Sequence, residues 1–168
     1  MKEVFAAVAK HENGQYEVID SKFDGSGGSK MFVSYYHLDI DYKDHRIHIS
    51  YEMGNHNMAK IEMQLLPGEI IPEFSITNRS HYYRLFYRKA NILKVKSTNI
   101  TFKKYLEDLL LSTNLEMLAR ENLFEPQIGI VRKETTKVLN AEFHLVFGDK
   151  EGVLHALISF YKGIVDRL

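Results

Sequence analysis

The sequence predicts an α+β fold, in which an antiparallel sheet has helices packed on one of its faces. Apolar residues recur at every second position across residues 31–66, which is typical of strands that bury one face. Apolar residues with helical spacing are confined to the start of the chain and to its second half. Strands that follow one another in a run, without alternating helices, favour antiparallel pairing.

Length and composition predict one domain, residues 1–168. The chain has 168 residues, of which 45% are apolar and 26% are charged, and its net charge is +0. Such a chain can bury a core, and its neutral charge gives no general attraction to nucleic acid or membranes. The absence of cysteine excludes disulfides and thiolate metal sites and fits a cytoplasmic location. No window approaches the roughly 18 apolar residues of a transmembrane segment.

The front of the chain predicts a short helix followed by a turn and a loop. Apolar residues share one face of a helix over residues 2–10, and Asn13-Gly14 then predicts a turn into a short strand at 15–19. Residues 24–29 contain three glycines and two serines, which predicts a flexible surface loop. This loop lacks the Lys-Ser/Thr and the helix start that a phosphate loop requires.

The alternating region 31–66 predicts a three-stranded meander. In the first hairpin we expect Asp41 to pair with Asp44 across a two-residue turn, which places His37 directly opposite His48. On the same face this register sets Asp39 opposite Arg46 and so offsets the like charges at the turn.

The second hairpin of the meander is predicted to close through a five-residue loop at 54–58. This register sets Tyr51 opposite Ile61 and Glu52 opposite Lys60, and the opposite charges favour it over a shorter loop.

The remaining elements complete the sheet and its helical layer. Further strands are predicted near residues 72–78, 92–96, 127–132 and 137–147. A leucine-rich helical region is predicted over 101–121, restarting at a capping box formed by Thr113 and Glu116. The last helix is predicted over 150–167, after an N-cap at Asp149.

The predicted first hairpin contains a candidate metal site. Two imidazoles opposite one another, His37 and His48, with the Asp39 carboxylate on the same face, could bind a divalent ion. The alternative is a solvated sheet face that carries polar residues without a ligand. No catalytic motif accompanies the three residues, so a metal-dependent enzyme is the second hypothesis and a protein without activity or cofactor is the first.

The most uneven charge lies in the basic-aromatic segment, residues 79–104. It contains eight lysines or arginines and no acidic residue, with tyrosine and phenylalanine between them. The candidate binding residues are Arg79, Tyr83, Arg84, Tyr87, Arg88 and Lys89. Such a composition suits a protein partner or self-association, and it would also suit phosphates of nucleic acid or an anionic lipid surface. The alternative is that the aromatic residues belong to the core and the cations pair with acidic residues elsewhere.

The order of these features resembles the soluble domain of a family of uncharacterised bacterial proteins, a domain of unknown function often attached to membrane-spanning helices. The resemblance rests on Asn13–Glu17, on Phe74-x-Ile76 before the basic run, on Asn91–Lys96, and on the closing helix with Val153–Leu168. It implies a bacterial, non-enzymatic protein, and it carries over no site. From the residues, we expect a binding or scaffolding domain that acts through residues 79–104. A further alternative is a small apolar ligand between sheet and helices.

Overall fold

The computed structural model describes residues 1–24, 30–79, 91–133 and 135–168. Within them lie eight strands: β1 (Gln15–Asp24), β2 (Lys30–Tyr42), β3 (His45–Met53), β4 (Met58–Gln64), β5 (Phe74–Asn78), β6 (Leu93–Ser97), β7 (Gln127–Lys133) and β8 (Thr136–His144). The described helices are α1 (Lys2–Glu12), α2 (Ile100–Ser112), α3 (Leu115–Glu121) and α4 (Lys150–Arg167). The predicted α+β class is confirmed.

All eight strands belong to one antiparallel sheet with the order β1-β2-β3-β4-β8-β7-β5-β6. Strands β2, β3 and β4 form the predicted three-stranded meander. Strand β1, which continues well beyond the short strand predicted at 15–19, adds a fourth strand at its edge. After β4 the sequence Pro67-Gly68 prevents the next segment from continuing as a strand. The strand that pairs with the free edge of β4 is β8. The β5–β6 hairpin therefore lies at the far edge of the sheet, next to β7.

One apolar row crosses the sheet and forms the floor of the core. Its members, each paired with the next, are Leu38, Ile49, Ile61, Ala141, Ile128, Ile76 and Val95. All seven are buried. A row of this kind arises when every strand keeps its apolar residues in the same alternation, because a slip of one residue would turn them to the other face.

The four helices cover this face of the sheet. In α1, the Phe5 ring packs edge-on against Tyr51 with their centroids 5.0 Å apart. In α4, the Tyr161 hydroxyl donates a hydrogen bond of 2.9 Å to the backbone carbonyl of Ile61. The start of α4 is fixed as predicted, since the Asp149 side chain accepts from the Gly152 amide.

Both predicted hairpin registers are wrong by two residues. Asp41 lies opposite Arg46, across a turn at Lys43-Asp44 in which Lys43 is left-handed, with φ 52°. In the second hairpin the loop has four residues, and Ile61 pairs with Ile49. A shift of two keeps every side chain on its predicted face, so apolar alternation cannot distinguish the registers.

The predicted capping box at Thr113 and Glu116 is also wrong. The N-cap of α3 is Asn114 and makes no side-chain cap, while Thr113 donates to the Leu109 carbonyl of α2. Glu116 is buried, and its carboxylate instead accepts hydrogen bonds from the backbone amides at the start of β6.

Two other predictions concern a strand and a loop. The last strand is shorter than predicted and ends at residue 144. The predicted loop at 24–29 lies almost wholly outside the described residues.

Candidate binding site on the open face of the sheet

The open face is defined as the side of the sheet opposite the helical layer. Two polar rows cross it. The first row pairs, in turn, Glu17, His37, Ser50, Lys60, Glu142 and Gln127. The second row pairs, in turn, Gln15, Asp39, His48, Glu62, Asn140, Gly129, Ser75 and Lys96. The same alternation that builds the core therefore concentrates the polar side chains on this face.

The three residues of the predicted metal site lie together on the open face, in a different arrangement from the predicted one. His48 is opposite Asp39, and its Nδ1 donates to Asp39 Oδ1 at 2.7 Å, since an ionised carboxylate can only accept. His37 is opposite Ser50 and stacks on the His48 ring with the centroids 5.7 Å apart. The Nδ1 atom of His37 is buried and has no hydrogen-bond partner within the described part of the chain.

This stacking does not suit one ion shared by both imidazoles. The rings of His37 and His48 are inclined by only 18°. A nitrogen lone pair lies in the plane of its ring, so two nearly parallel rings direct their lone pairs along separate planes. Asp39 is held by His48 through a hydrogen bond. The arrangement instead resembles a carboxylate–histidine pair that fixes the imidazole and leaves its other nitrogen free to accept.

A cavity of about 330 Å³ opens beside this cluster. The side chains that it offers to a ligand are Tyr35, His37, Ser50, Glu52, Met58, Lys60 and Glu142. They combine an aromatic ring, a thioether, a hydroxyl, an imidazole and charged groups, the mixture expected of a small-molecule site of this size. Strands β2, β3, β4 and β8 supply these residues, so the walls of the cavity are built from neighbouring strands of the sheet.

The charge in the cavity is set by Lys60 and the carboxylates around it. Lys60 Nζ lies 3.2 Å from Glu62 and 3.5 Å from Glu142, while Lys133 also pairs with Glu62. Partial burial opposes the charge on Lys60, but the hydrogen bonds and charges of both glutamates raise its pKa. Burial likewise opposes ionisation of Glu62, while the two lysines lower its pKa. The lining thus contains two carboxylates, Glu52 and Glu142, against one ammonium that is already paired.

The basic-aromatic segment is described at its two ends. Arg79 follows β5, where its amide donates to the Ile92 carbonyl and its Nε to the Asn91 carbonyl. The other predicted binding residues lie outside the described residues; they are Tyr83, Arg84, Tyr87, Arg88 and Lys89. Lys94 and Lys96 of β6 are exposed on the open face, and neither forms an ion pair with a described residue.

Sequence reasoning missed the grouping of Ser50, Lys60 and Glu142 because it depends on register and on strand order. His11 and Glu12 are neighbours in the sequence, whereas a third residue, His155, approaches them from another helix, and no local motif joins the three. The signal for that approach is long-range packing of α1 on α4, which one sequence does not show.

Among the described helices, none is both long enough and apolar enough to cross a membrane. No family model, no curated protein and no solved structure matches the chain.

Proposed function

We propose that the protein is a non-enzymatic binding domain that takes a small organic cation, such as an amine or a guanidine, in the cavity on the open face. One observation carries the proposal: a cavity of about 330 Å³ on the side of the sheet away from the helices. Its volume is within the range of ligand sites, roughly 300–1,000 Å³. A small apolar ligand between sheet and helices remains the further alternative.

The chemistry of the lining supports a cation. Glu52 and Glu142 line the cavity, and Glu62 lies beside it. These three carboxylates outnumber the two ammonium groups around them, those of Lys60 and Lys133, so the local charge is negative. Tyr35 adds an aromatic face, which attracts cations through its quadrupole. An anionic ligand would meet two carboxylates without a free cation in the cavity.

The proposal is tested by titrating the protein with aromatic amines and with carboxylic acids of the same size, followed by calorimetry. We expect the amines to bind and the acids not to bind. Glu142→Gln should weaken amine binding roughly two- to five-fold, since a partly exposed charge pair contributes about 0.5–1 kcal/mol. Glu121→Gln makes the same charge change on an exposed position of α3 and should leave affinity unchanged. Tighter binding of the acids would reverse the assignment.

The basic-aromatic segment supports a second proposal, contact with a protein partner or a second copy of the chain. Lys94 and Lys96 extend the positive charge of the segment onto the open face, where no described acidic residue pairs with them. If Arg84, Arg88 and Lys89 are replaced by glutamate, we expect a lower oligomeric state or loss of a captured partner. Unchanged behaviour in sedimentation, and in binding to proteins, lipid vesicles and nucleic acid, would refute it.

The absence of cysteine supports a cytoplasmic location for such a domain. The alternative of a metal-dependent enzyme using His37, His48 and Asp39 is decided by elemental analysis of the purified protein with and without His48→Ala. We expect no metal that depends on His48, because the two rings are stacked.

A further inference from the structure

We propose that His11, Glu12 and His155 form a zinc site that joins the end of α1 to α4. His11 and Glu12 are the penultimate and last residues of α1, and His155 lies in the second turn of α4. Their ligand atoms all lie within 4.8 Å of one another, and no other trio of described histidine and acidic residues is as close. The site is separate from the cavity on the open face and does not depend on the function proposed for it.

The spacing fits a tetrahedral ion. Two ligands about 2.0–2.1 Å from a tetrahedral zinc lie roughly 3.3 Å apart. The separation of His11 Nδ1 from Glu12 Oε1 is 3.1 Å, already close to this value. Since every ligand atom is within 4.8 Å of the others, no pair needs to close by more than about 1.5 Å. His11 has 71% of its side chain exposed, so it can rotate without disturbing the core.

The orientation of the two rings allows a shared ion. His11 and His155 have centroids 5.4 Å apart, and their planes are inclined by 84°. Perpendicular ring planes intersect, and lone pairs from both rings can converge on that line. The stacked rings of His37 and His48 are inclined by only 18° and do not have this property.

The carboxylate of Glu12 is mostly buried and is held in place by Lys162. Its side chain is only 9% exposed, and Lys162 binds its Oε2, which leaves Oε1 directed toward His11. Lys162 thereby fixes the position of the carboxylate, as outer partners of metal ligands do.

The donor set points to zinc. Two imidazoles and one carboxylate are common zinc ligands, whereas calcium and magnesium prefer ligand sets made of oxygen alone. Three protein ligands leave a fourth position for water or for an external ligand. An ion held from both helices would also tie α1 to α4, and binding to the folded chain would raise its thermal stability.

The test measures zinc binding to the full chain by competition with a chromophoric chelator, and records the melting temperature with and without zinc. The variants are His11→Gln, His155→Gln and, as matched control, His48→Gln. We expect one zinc per chain in the wild type and in His48→Gln, with a higher melting temperature. Each of the other two should lose more than the roughly 10–100-fold in affinity that removal of an outer-shell partner costs.

Two outcomes overturn the proposal: no zinc bound by the wild type, or zinc kept with unchanged affinity in a folded His11→Gln or His155→Gln variant. The melting temperature without zinc shows that each variant is folded. His11 is mostly exposed, so His11→Gln keeps the test valid if His155→Gln does not fold.

Discussion

Two buried tyrosines differ in whether their hydroxyl has a partner, and they predict opposite effects of the same substitution. Tyr161 donates from its hydroxyl to the Ile61 carbonyl at 2.9 Å. Tyr51 is 1% exposed, and its hydroxyl has no hydrogen-bond partner within the described part of the chain. Replacement by phenylalanine keeps both rings in the core and removes only the oxygen.

The magnitudes follow from these two environments. Tyr161→Phe should lower the free energy of unfolding by about 1–2 kcal/mol, because it removes a buried hydrogen bond and leaves the Ile61 carbonyl with one partner fewer. Tyr51→Phe should raise it by about 1 kcal/mol, because a buried hydroxyl without a partner costs roughly 1–3 kcal/mol in proteins.

The assay is urea denaturation followed by circular dichroism. With a slope of about 2 kcal/mol per molar urea, the midpoints of the two variants should differ by roughly 1–1.5 M. Equal slopes would show that the variants differ in stability and not in the compactness of the unfolded state. If Tyr51→Phe is destabilised as much as Tyr161→Phe, the reasoning from hydrogen-bond satisfaction is wrong for this core.

Three further predictions follow from the buried groups and the turns. Glu116→Gln should lower the free energy of unfolding by about 2–3 kcal/mol in urea denaturation, because a buried carboxylate that binds two backbone amides loses one of its two acceptor oxygens. The control Glu121→Gln, on the surface, should leave the free energy of unfolding unchanged. Gly54→Ala should destabilise the fold more than Gly68→Ala. Both glycines have positive φ, and that strain alone costs about 1–2 kcal/mol, but of the two only a Cβ at Gly54 would collide with a backbone oxygen, that of Phe32. Burial raises the pKa of Tyr161 and Tyr51 above 10.0, so at high pH the folded chain keeps phenolic protons that the unfolded chain loses. The stability that these two groups contribute should therefore be complete below pH 10 and decrease above it. In thermal melts, this decrease should be less steep for Tyr161→Phe than for the wild type.

Much of the fold was predictable because local patterns determine it. The alternation across residues 31–66 marks the buried face of each strand, and the near-ideal helical spacing after Asp149 marks α4, whose bounds match the prediction. The order of the strands was not predictable in this way. The pairing of β4 with β8 joins residues about eighty positions apart, and no local pattern carries that information.

The register of the β2–β3 hairpin determines which polar side chains are neighbours on the open face. A shift of two residues leaves Leu38 and Ile49 in the core but exchanges the partners of every polar residue on the open face. His37 faces Ser50 instead of His48, and His48 faces Asp39. The predicted pair of metal-binding imidazoles thereby becomes a hydrogen-bonded carboxylate–histidine pair with a second imidazole stacked on it.

At Glu116 the sequence matches a capping motif, but the side chain binds elsewhere in the structure. The spacing from Thr113 to Glu116 satisfies a capping box, but caps are favoured only where the glutamate is free to reach back to its own helix. Here the amides of Ile92 and Leu93, at the start of β6, compete for the same carboxylate and bind it in the core. The distant contact prevails because it satisfies two buried amides at once.

The two pairs of histidines are almost equally close but differ in the inclination of their rings. Their ring centroids are separated by 5.7 Å in His37–His48 and by 5.4 Å in His11–His155, so distance does not distinguish them. The inclination of the rings does, because an imidazole binds an ion in its own plane. A strand pair tends to stack neighbouring side chains of one face. The rings of His11 and His155 come from two different helices and meet edge to face. The sheet therefore suits hydrogen bonding to a ligand, and the contact between α1 and α4 suits an ion.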